Sequence, residues 1–236
     1  MTLSKKLKQF VAAAALIATA WTSSAFAVDC SVAKNRQLQF FGDDTGIITW
    51  QSPRVDSPRD TNPSRLAVSV LFQDGDDYAG AQGHCTGIEG KLLGQVKNLS
   101  FEFENETGNP VHIGAGAPRY SVEIDKDGDG IADTVAYLAA YYCPAVLPED
   151  TRWSRADWTG RTQAGCELFI DSETFTSDGT HSAWALLSAA HPTWSVVQAY
   201  FVMDEEGTAF VDRLAFQNEM FTANGAVLKC NSEAQC

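Results

Sequence analysis

Residues 125–133 read Asp-Lys-Asp-Gly-Asp-Gly-Ile-Ala-Asp and stand between two apolar runs, Tyr120–Ile124 and Thr134–Tyr142. This arrangement constrains the fold more than any other stretch of the chain. The glycines at 128 and 130 allow the backbone a tight reversal, and the flanking runs are rich in β-branched and aromatic residues. The segment therefore predicts a β-hairpin whose tip carries four carboxylates. Asp125, Asp127, Asp129 and Asp133 alternate as side-chain oxygens do around a hard cation, and the Ile131 carbonyl can add another oxygen. Such donors suit Ca2+, which takes roughly six to eight oxygens; magnesium keeps its waters and a stiff octahedron. An EF-hand is not expected, because its bidentate Glu at the twelfth position is Ala136 here. The opposing reading is an ion-free acidic turn, in which four carboxylates repel one another.

The rest of the chain repeats the β signal. Short apolar runs recur at Ile47–Trp50, Leu66–Phe72, Val96–Glu104, Glu167–Ile170, Val196–Met203 and Phe210–Phe216. In Leu99-Ser100-Phe101-Glu102-Phe103-Glu104 apolar and polar residues alternate, as in a half-buried antiparallel strand. Turn residues such as Asp74-Gly75 and Glu206-Gly207 punctuate the runs. Thr180–Ala190 differs: Trp184, Leu187 and Ala190 fall near helical spacing, Asp178 or Thr180 can cap the segment, and His191-Pro192 can end it. Residues 51–63, with Pro53, Pro58 and Pro63, read as a surface loop. Many strands without βαβ alternation predict an all-β fold, a two-sheet antiparallel β-sandwich of jelly-roll-like form with one short helix near 180–190.

Residues 1–27 read as a signal peptide, with Lys5, Lys6 and Lys8, an apolar stretch, and Ala25-Phe26-Ala27 as the cleavage site. Residues 28–236 then form a single domain, secreted or periplasmic. Without the leader and its three lysines, the net charge moves from −13 to −16. Such a chain repels nucleic acid and attracts divalent cations. No later apolar run is long enough for a membrane span. The six cysteines suit a disulfide framework in an oxidising compartment. Cys143 with Cys166 is the pairing expected first, as a staple on the segment between them. The pairing of Cys30, Cys85, Cys230 and Cys236 stays open.

The acidic nonapeptide resembles the calcium loops of thrombospondin type 3 repeats and dockerins, though it occurs once and covers nine residues. Trp184-Ala-Leu-Leu-Ser-Ala-Ala-His-Pro, Val196-Val-Gln-Ala-Tyr-Phe-Val-Met-Asp and Phe210-Val-Asp-Arg-Leu, with Gly116-Ala-Pro-Arg-Tyr upstream, resemble the close of secreted bacterial β-sandwich domains. That resemblance implies a short helix, a strand, a turn and a final strand. The relatives of such domains in architecture include carbohydrate-binding modules. Asp212 then either points inward, with Arg119 as a partner, or lies exposed on its strand.

Trp153 and Trp158, with Arg155 between them, form the candidate ligand-binding set, since aromatic rings beside arginine and acid suit sugar recognition. The alternative is that these tryptophans cap the core. Hydrolase signatures such as Gly-x-Ser-x-Gly and His-Glu-x-x-His are missing, while Glu102, Glu104 and Glu123 could supply a glycosidase carboxylate pair. The expected role is a calcium-binding, non-catalytic module for an extracellular polysaccharide or a cell-surface protein. The alternatives are a secreted glycan-active hydrolase or lyase, and a structural or adhesive cell-surface component.

Overall fold

The computed structural model describes residues 38–42, 46–51, 65–70, 78–83, 86–105, 118–143, 145–147, 150–160, 164–204, 207–221 and 227–229. In chain order the strands are β1 (Leu38–Gly42), β2 (Gly46–Gln51), β3 (Arg65–Val70), β4 (Ala79–Gly83), β5 (Leu99–Asn105), β6 (Arg119–Asp125), β7 (Thr134–Ala139) and β8 (Ala145–Leu147). They continue with β9 (Asp150–Asp157), β10 (Glu167–Ile170), β11 (Glu173–Thr176), β12 (Ser195–Met203), β13 (Gly207–Phe216), β14 (Glu219–Phe221) and β15 (Val227–Lys229). One α-helix, α1 (Ala183–Ala190), and two 3-10 turns, Leu93–Gln95 and Ala140–Tyr142, complete the described elements. No described helix is long and apolar enough to cross a membrane.

The strands form two antiparallel sheets. The first has the order β1-β4-β12-β6-β7-β10-β11. The second runs β15-β14-β13-β5-β9-β8, with β3 also pairing along β13 and β2 outside β3. The expected sandwich is thus the observed architecture. Its core lies between the sheets and centres on Phe101 of β5. The rings of Phe103, Tyr120, Trp158 and Phe201 surround Phe101 at 5.9, 5.2, 5.6 and 5.3 Å, all tilted or edge-on. Such geometry aligns ring edges with ring faces and adds to the gain from burial.

Tyr120 of β6 reaches across this core. Its hydroxyl lies 3.0 Å from the Ser100 carbonyl and 3.1 Å from the Ala215 carbonyl of the opposite sheet. Those carbonyls flank a bulge, where the β13–β5 register shifts between Asp212 and Ala215. Arg213 sits in that bulge at φ 52°, a left-handed conformation that non-glycine residues rarely take. Burial pushes the Tyr120 phenol well above its usual range, so it stays protonated and able to donate.

Several expectations change in detail. The outward residues of β5 do not face solvent: Ser100, Glu102 and Glu104 are buried. Their charge is met by neighbours rather than by water. Glu102 lies in register with Arg155 and Asp212, and Arg213 Nε stands 3.6 Å from its carboxylate. Asp212 is also buried, and its Oδ1 accepts from the Arg213 amide at 2.7 Å. Arg119 is not its partner. Arg119 lies on the outer face of the first sheet, across the sandwich from Asp212, and pairs with Asp204.

The helix forms where expected, but Ser182 caps it, its Oγ accepting from the Ala185 amide at 3.1 Å. Asp178 instead closes a turn on the amides of Thr180 and His181. Residues 93–95 and 140–142 make 3-10 turns, so β5 starts later and β7 ends sooner than their apolar runs suggest. Cys143 and Cys166 form the expected disulfide, with Cα atoms 4.1 Å apart. Cys30, Cys85, Cys230 and Cys236, and residues 52–63 of the proline-rich stretch, lie outside the described residues.

The packing around Phe101 gives a stability prediction. Phe101→Ala removes a ring that touches both sheets and should destabilise the fold by about 3–5 kcal/mol in denaturant melts. A loss under about 1 kcal/mol would show that the ring cluster relaxes into the space.

Candidate functional site

The acidic tip is the turn of the β6–β7 hairpin, whose last ladder pair is Ile124 with Thr134. Gly128 and Gly130 adopt φ of 85° and 82°, the positive values that the reversal requires. Asp125, at the end of β6, organises the loop. Its Oδ1 accepts from the amides of Asp127 at 3.1 Å and Gly128 at 2.6 Å, and its Oδ2 from Gly130 at 2.8 Å. The Asp133 carboxylate accepts from the Lys126 amide at 2.7 Å, and the Asp133 amide donates to the Ile124 carbonyl.

Oxygens of Asp125, Asp127 and Asp133 all lie within 4.8 Å of one another, a group that could hold a metal ion. Asp129 stands outside this trio, its Oδ1 accepting from the Ile131 amide at 2.8 Å. The Ile131 side chain projects from the tip and is 68% exposed. The other short acidic runs of the chain, Asp43-Asp44 and Asp74 with Asp76 and Asp77, lie outside the described residues.

Lys126 does not neutralise the trio. Its ammonium lies 2.6 Å from Asp171, whose other oxygen accepts from Thr134 at 2.6 Å. Lys126 also stands over the Trp194 ring at 4.9 Å. His191 stacks on Trp194 at 3.6 Å and lies 3.3 Å from Glu173. The bonds from Lys126 and Thr134 hold Asp171 below the usual carboxylate range.

The candidate ligand platform at β9 is corrected. Trp153 and Trp158 are fully buried, and Trp158 Nε1 donates to the Glu167 carbonyl at 2.9 Å. Arg155 spends its guanidinium on Asp157, at 3.2 Å, and on Ser100. The reason is packing: the Trp158 ring lies against Phe101 and Tyr120 in the core, and Trp153 is fully covered on its strand. Of the suggested glycosidase carboxylates, Glu102 and Glu104 are buried together on β5, and Glu123 lies apart on β6. Glu102 lies on the outer face of the second sheet and Glu123 on that of the first, with the core between them.

The outer face of the first sheet carries a set that the sequence reading missed. Gln82, Tyr200, Ser121, Tyr137 and Phe169 are successive register partners across β4, β12, β6, β7 and β10. Their strand neighbours Ala81, Phe201, Tyr120, Leu138 and Leu168 are all in the core, so this row points away from it. Five strands place its ends about 19 Å apart. Gln82 donates to Gln198 at 2.9 Å, and Gln198 donates to Glu123 at 2.8 Å. Arg119 lies over the Tyr137 ring at 5.3 Å, and Phe41 meets Tyr200 edge-on at 5.9 Å. Burial raises the Glu123 carboxyl above its usual range, against the bond from Gln198. Burial, reinforced by Glu123, also pushes the Tyr200 phenol up. The available signal was the alternation of Tyr200 and Gln198 with core residues of β12.

No family model and no curated protein matches this sequence. Among solved structures, the enzymatically active domain of tailspike protein 4 from bacteriophage CBA120 aligns with 74% of this chain at 13% identity and a TM-score of 0.31. The alignment spans 18% of that chain. The fold and tip together define the protein as an all-β sandwich with an aspartate-rich hairpin loop.

The tip has a pH signature. Bonds from the Gly128 and Gly130 amides, then those from Asp127 and Asp129, hold the Asp125 carboxyl below its ordinary value of 3.8. A depressed carboxyl stabilises the fold above its unfolded pKa, and that contribution is lost as pH falls through the lower, folded value. In EDTA-treated protein, the amide NMR signals of Gly128 and Gly130 should titrate together with a midpoint below 3.8. Asp125→Ala should abolish the titration; a midpoint at or above 3.8 would contradict the bonding described.

Proposed function

We propose that this protein is an exported, calcium-stabilised β-sandwich whose role is non-catalytic binding of an extracellular glycan. The observation that carries the reading is the row on the outer face of the first sheet. Tyr137, Tyr200 and Phe169 are part-buried and leave part of their ring surface for the apolar faces of sugars, beside the bonded chain of Gln82, Gln198 and Glu123, whose remaining donors and acceptors suit hydroxyls. The row crosses the strands, so it suits a chain of sugar rings better than a single ring. Calcium is supported by the donor chemistry of the tip: hard oxygens, a converging carboxylate trio, and an organising Asp125 held by backbone amides. The ion would be held by Asp125, Asp127 and Asp133 and would tie the ends of β6 and β7, central strands of that face.

Two measurements test this. Wild-type protein should be retained on at least one insoluble polysaccharide, and Tyr137→Ala should weaken retention about tenfold, as loss of a central aromatic anchor does. Failure to bind any of a broad set of polysaccharides would end the glycan reading.

Calcium is tested separately. Millimolar calcium should raise the melting temperature by a few degrees, corresponding to about 1–2 kcal/mol. Magnesium at equal ionic strength should do less, and Asp127→Ala should blunt the calcium response. Equal calcium responses from wild type and Asp127→Ala would remove this loop as the ion's site.

A further inference from the structure

A cleft of about 470 Å³ opens between the Leu93–Gln95 turn, Thr159 and the start of α1. That volume lies within the range of small-molecule sites. Leu93 and Val96 contribute apolar lining. Trp184 is a fixed wall, its Nε1 donating to the Leu93 carbonyl at 2.8 Å. Lys97, Thr159, Thr180, His181 and Ser188 supply polar groups to the same space.

The polar lining has spare capacity of definite kinds. The helix amides are not the attraction: Trp184 N donates to the Trp158 carbonyl and Ala185 N to Ser182 Oγ. Thr159 is committed, donating to Asp157 and accepting from the Leu99 amide. Ser188 donates to the Ala185 carbonyl at 2.9 Å, so its lone pairs still accept. His181 Nδ1 lies 3.2 Å from Asp178. Bonds from the His181 amide, the His181 ring and the Thr180 amide pull the Asp178 carboxyl down to about 2, so it is ionised and can only accept. The proton of a neutral His181 therefore sits on Nδ1, and Nε2 keeps a lone pair. Lys97 is exposed and makes no ion pair among the described residues. The two nearby acids already have cationic or imidazole partners: Asp157 has Arg155, and Asp178 has His181. The cleft thus offers one uncommitted positive charge, several acceptors for hydroxyl donors, and an apolar surface.

We propose that this cleft binds a small hydroxylated monocarboxylate, a sugar acid of the uronate class, with Lys97 on the carboxylate. His181 Nε2 and Ser188 Oγ accept from its hydroxyls, the Thr180 hydroxyl adds a further contact, and Val96 and Ala185 meet its C–H surface. The proposal rests neither on calcium nor on glycan capture by the sheet face. The same chemistry could come from a free sugar acid or from the end of an acidic polysaccharide.

The test is NMR and calorimetric titration of the full mature chain with glucuronate, glucose, acetate and a short oligogalacturonate. Glucuronate should shift the amides of Lys97, His181 and Ser188 and bind at least about tenfold tighter than glucose or acetate. Lys97→Gln, an exposed change that leaves the core intact, should bring glucuronate down to the level of glucose. Ser188→Phe, which fills the cleft, should abolish the shifts. Tighter binding of oligogalacturonate than glucuronate would assign a polymer end as the source, and equal binding a free acid. Equal binding of glucose and glucuronate, shifts elsewhere on the surface, or full glucuronate affinity in Lys97→Gln would overturn the proposal. Polysaccharide retention that depends on Tyr137 would survive any of those results.

Discussion

The two sheets are tied by a hydroxyl as well as by apolar packing. Tyr120 carries it from the middle of the first sheet to Ser100 and Ala215 of the second. Those carbonyls sit beside the β13 bulge, where one strand carries an extra residue and ladder bonding is interrupted. A buried carbonyl without a donor is costly, so the bulge and the tyrosine depend on each other. The phenol is held by a ring packed against Phe101, Trp158 and Phe216. Core packing, sheet spacing and the strained Arg213 backbone therefore belong to one arrangement.

That arrangement sets the position of each candidate functional feature. Tyr120 belongs to β6, which pairs with β7 on one side and β12 on the other. Alternation sends Tyr120, Val122 and Ile124 into the core and Arg119, Ser121 and Glu123 to the outer face. The strand then runs into Asp125 and the acidic tip. The start of β12 lies beside that tip, because Ser195 pairs with Asp125 and bridges Leu92. The Leu93–Gln95 turn and α1 adjoin those residues, which brings the Lys97 cleft to the same end of the sandwich as the loop. The sheet face extends away from that end along the strands.

The parts legible in the sequence were those in which local pattern and burial agree. Glu167–Ile170 was read at its observed bounds, the acidic hairpin and the short helix followed from spacing and turn chemistry, and the Cys143–Cys166 pair was the first expected among pairings that sequence leaves open. β9 was not legible. Its Asp-Thr-Arg-Trp-Ser-Arg-Ala-Asp carries charge on what proves to be an inner strand, where Arg155 is met by its strand neighbour Asp157 and by Ser100, distant in sequence. The ligand role given to Trp153 and Trp158 failed too: a tryptophan beside arginines reads as a surface platform until the folded chain buries it. β1 and β4 were missed for a different reason. β4 is Ala-Gly-Ala-Gln-Gly, whose propensity is poor, and its close approach to Phe41 at Gly80 leaves no room for a larger side chain. The row of Gln82, Tyr200, Ser121, Tyr137 and Phe169 joins five strands, and nothing local in a sequence reports such register.

The charge at the tip is the last element to place. A lysine inside an aspartate loop could be taken as an internal counterion that makes a metal unnecessary. Here Lys126 is drawn sideways, to Asp171 at 2.6 Å and to the face of Trp194. His191, stacked on Trp194, and Thr134, bonded to Asp171, hold that arrangement from two further elements. The amides of Gly128 and Gly130 offset Asp125 in part, because each points a partial positive charge at its oxygens. Asp127 and Asp133 gain amide bonds from Asp129 and Lys126 but no cation. Their oxygens nonetheless converge with those of Asp125. Like charges at that spacing separate unless something opposite in sign lies between them or the backbone forbids it. Here the amide bonds to Asp125 and Asp133 hold the turn, the loop's own lysine is engaged elsewhere, and the three carboxylates stand as a group that could hold a metal ion.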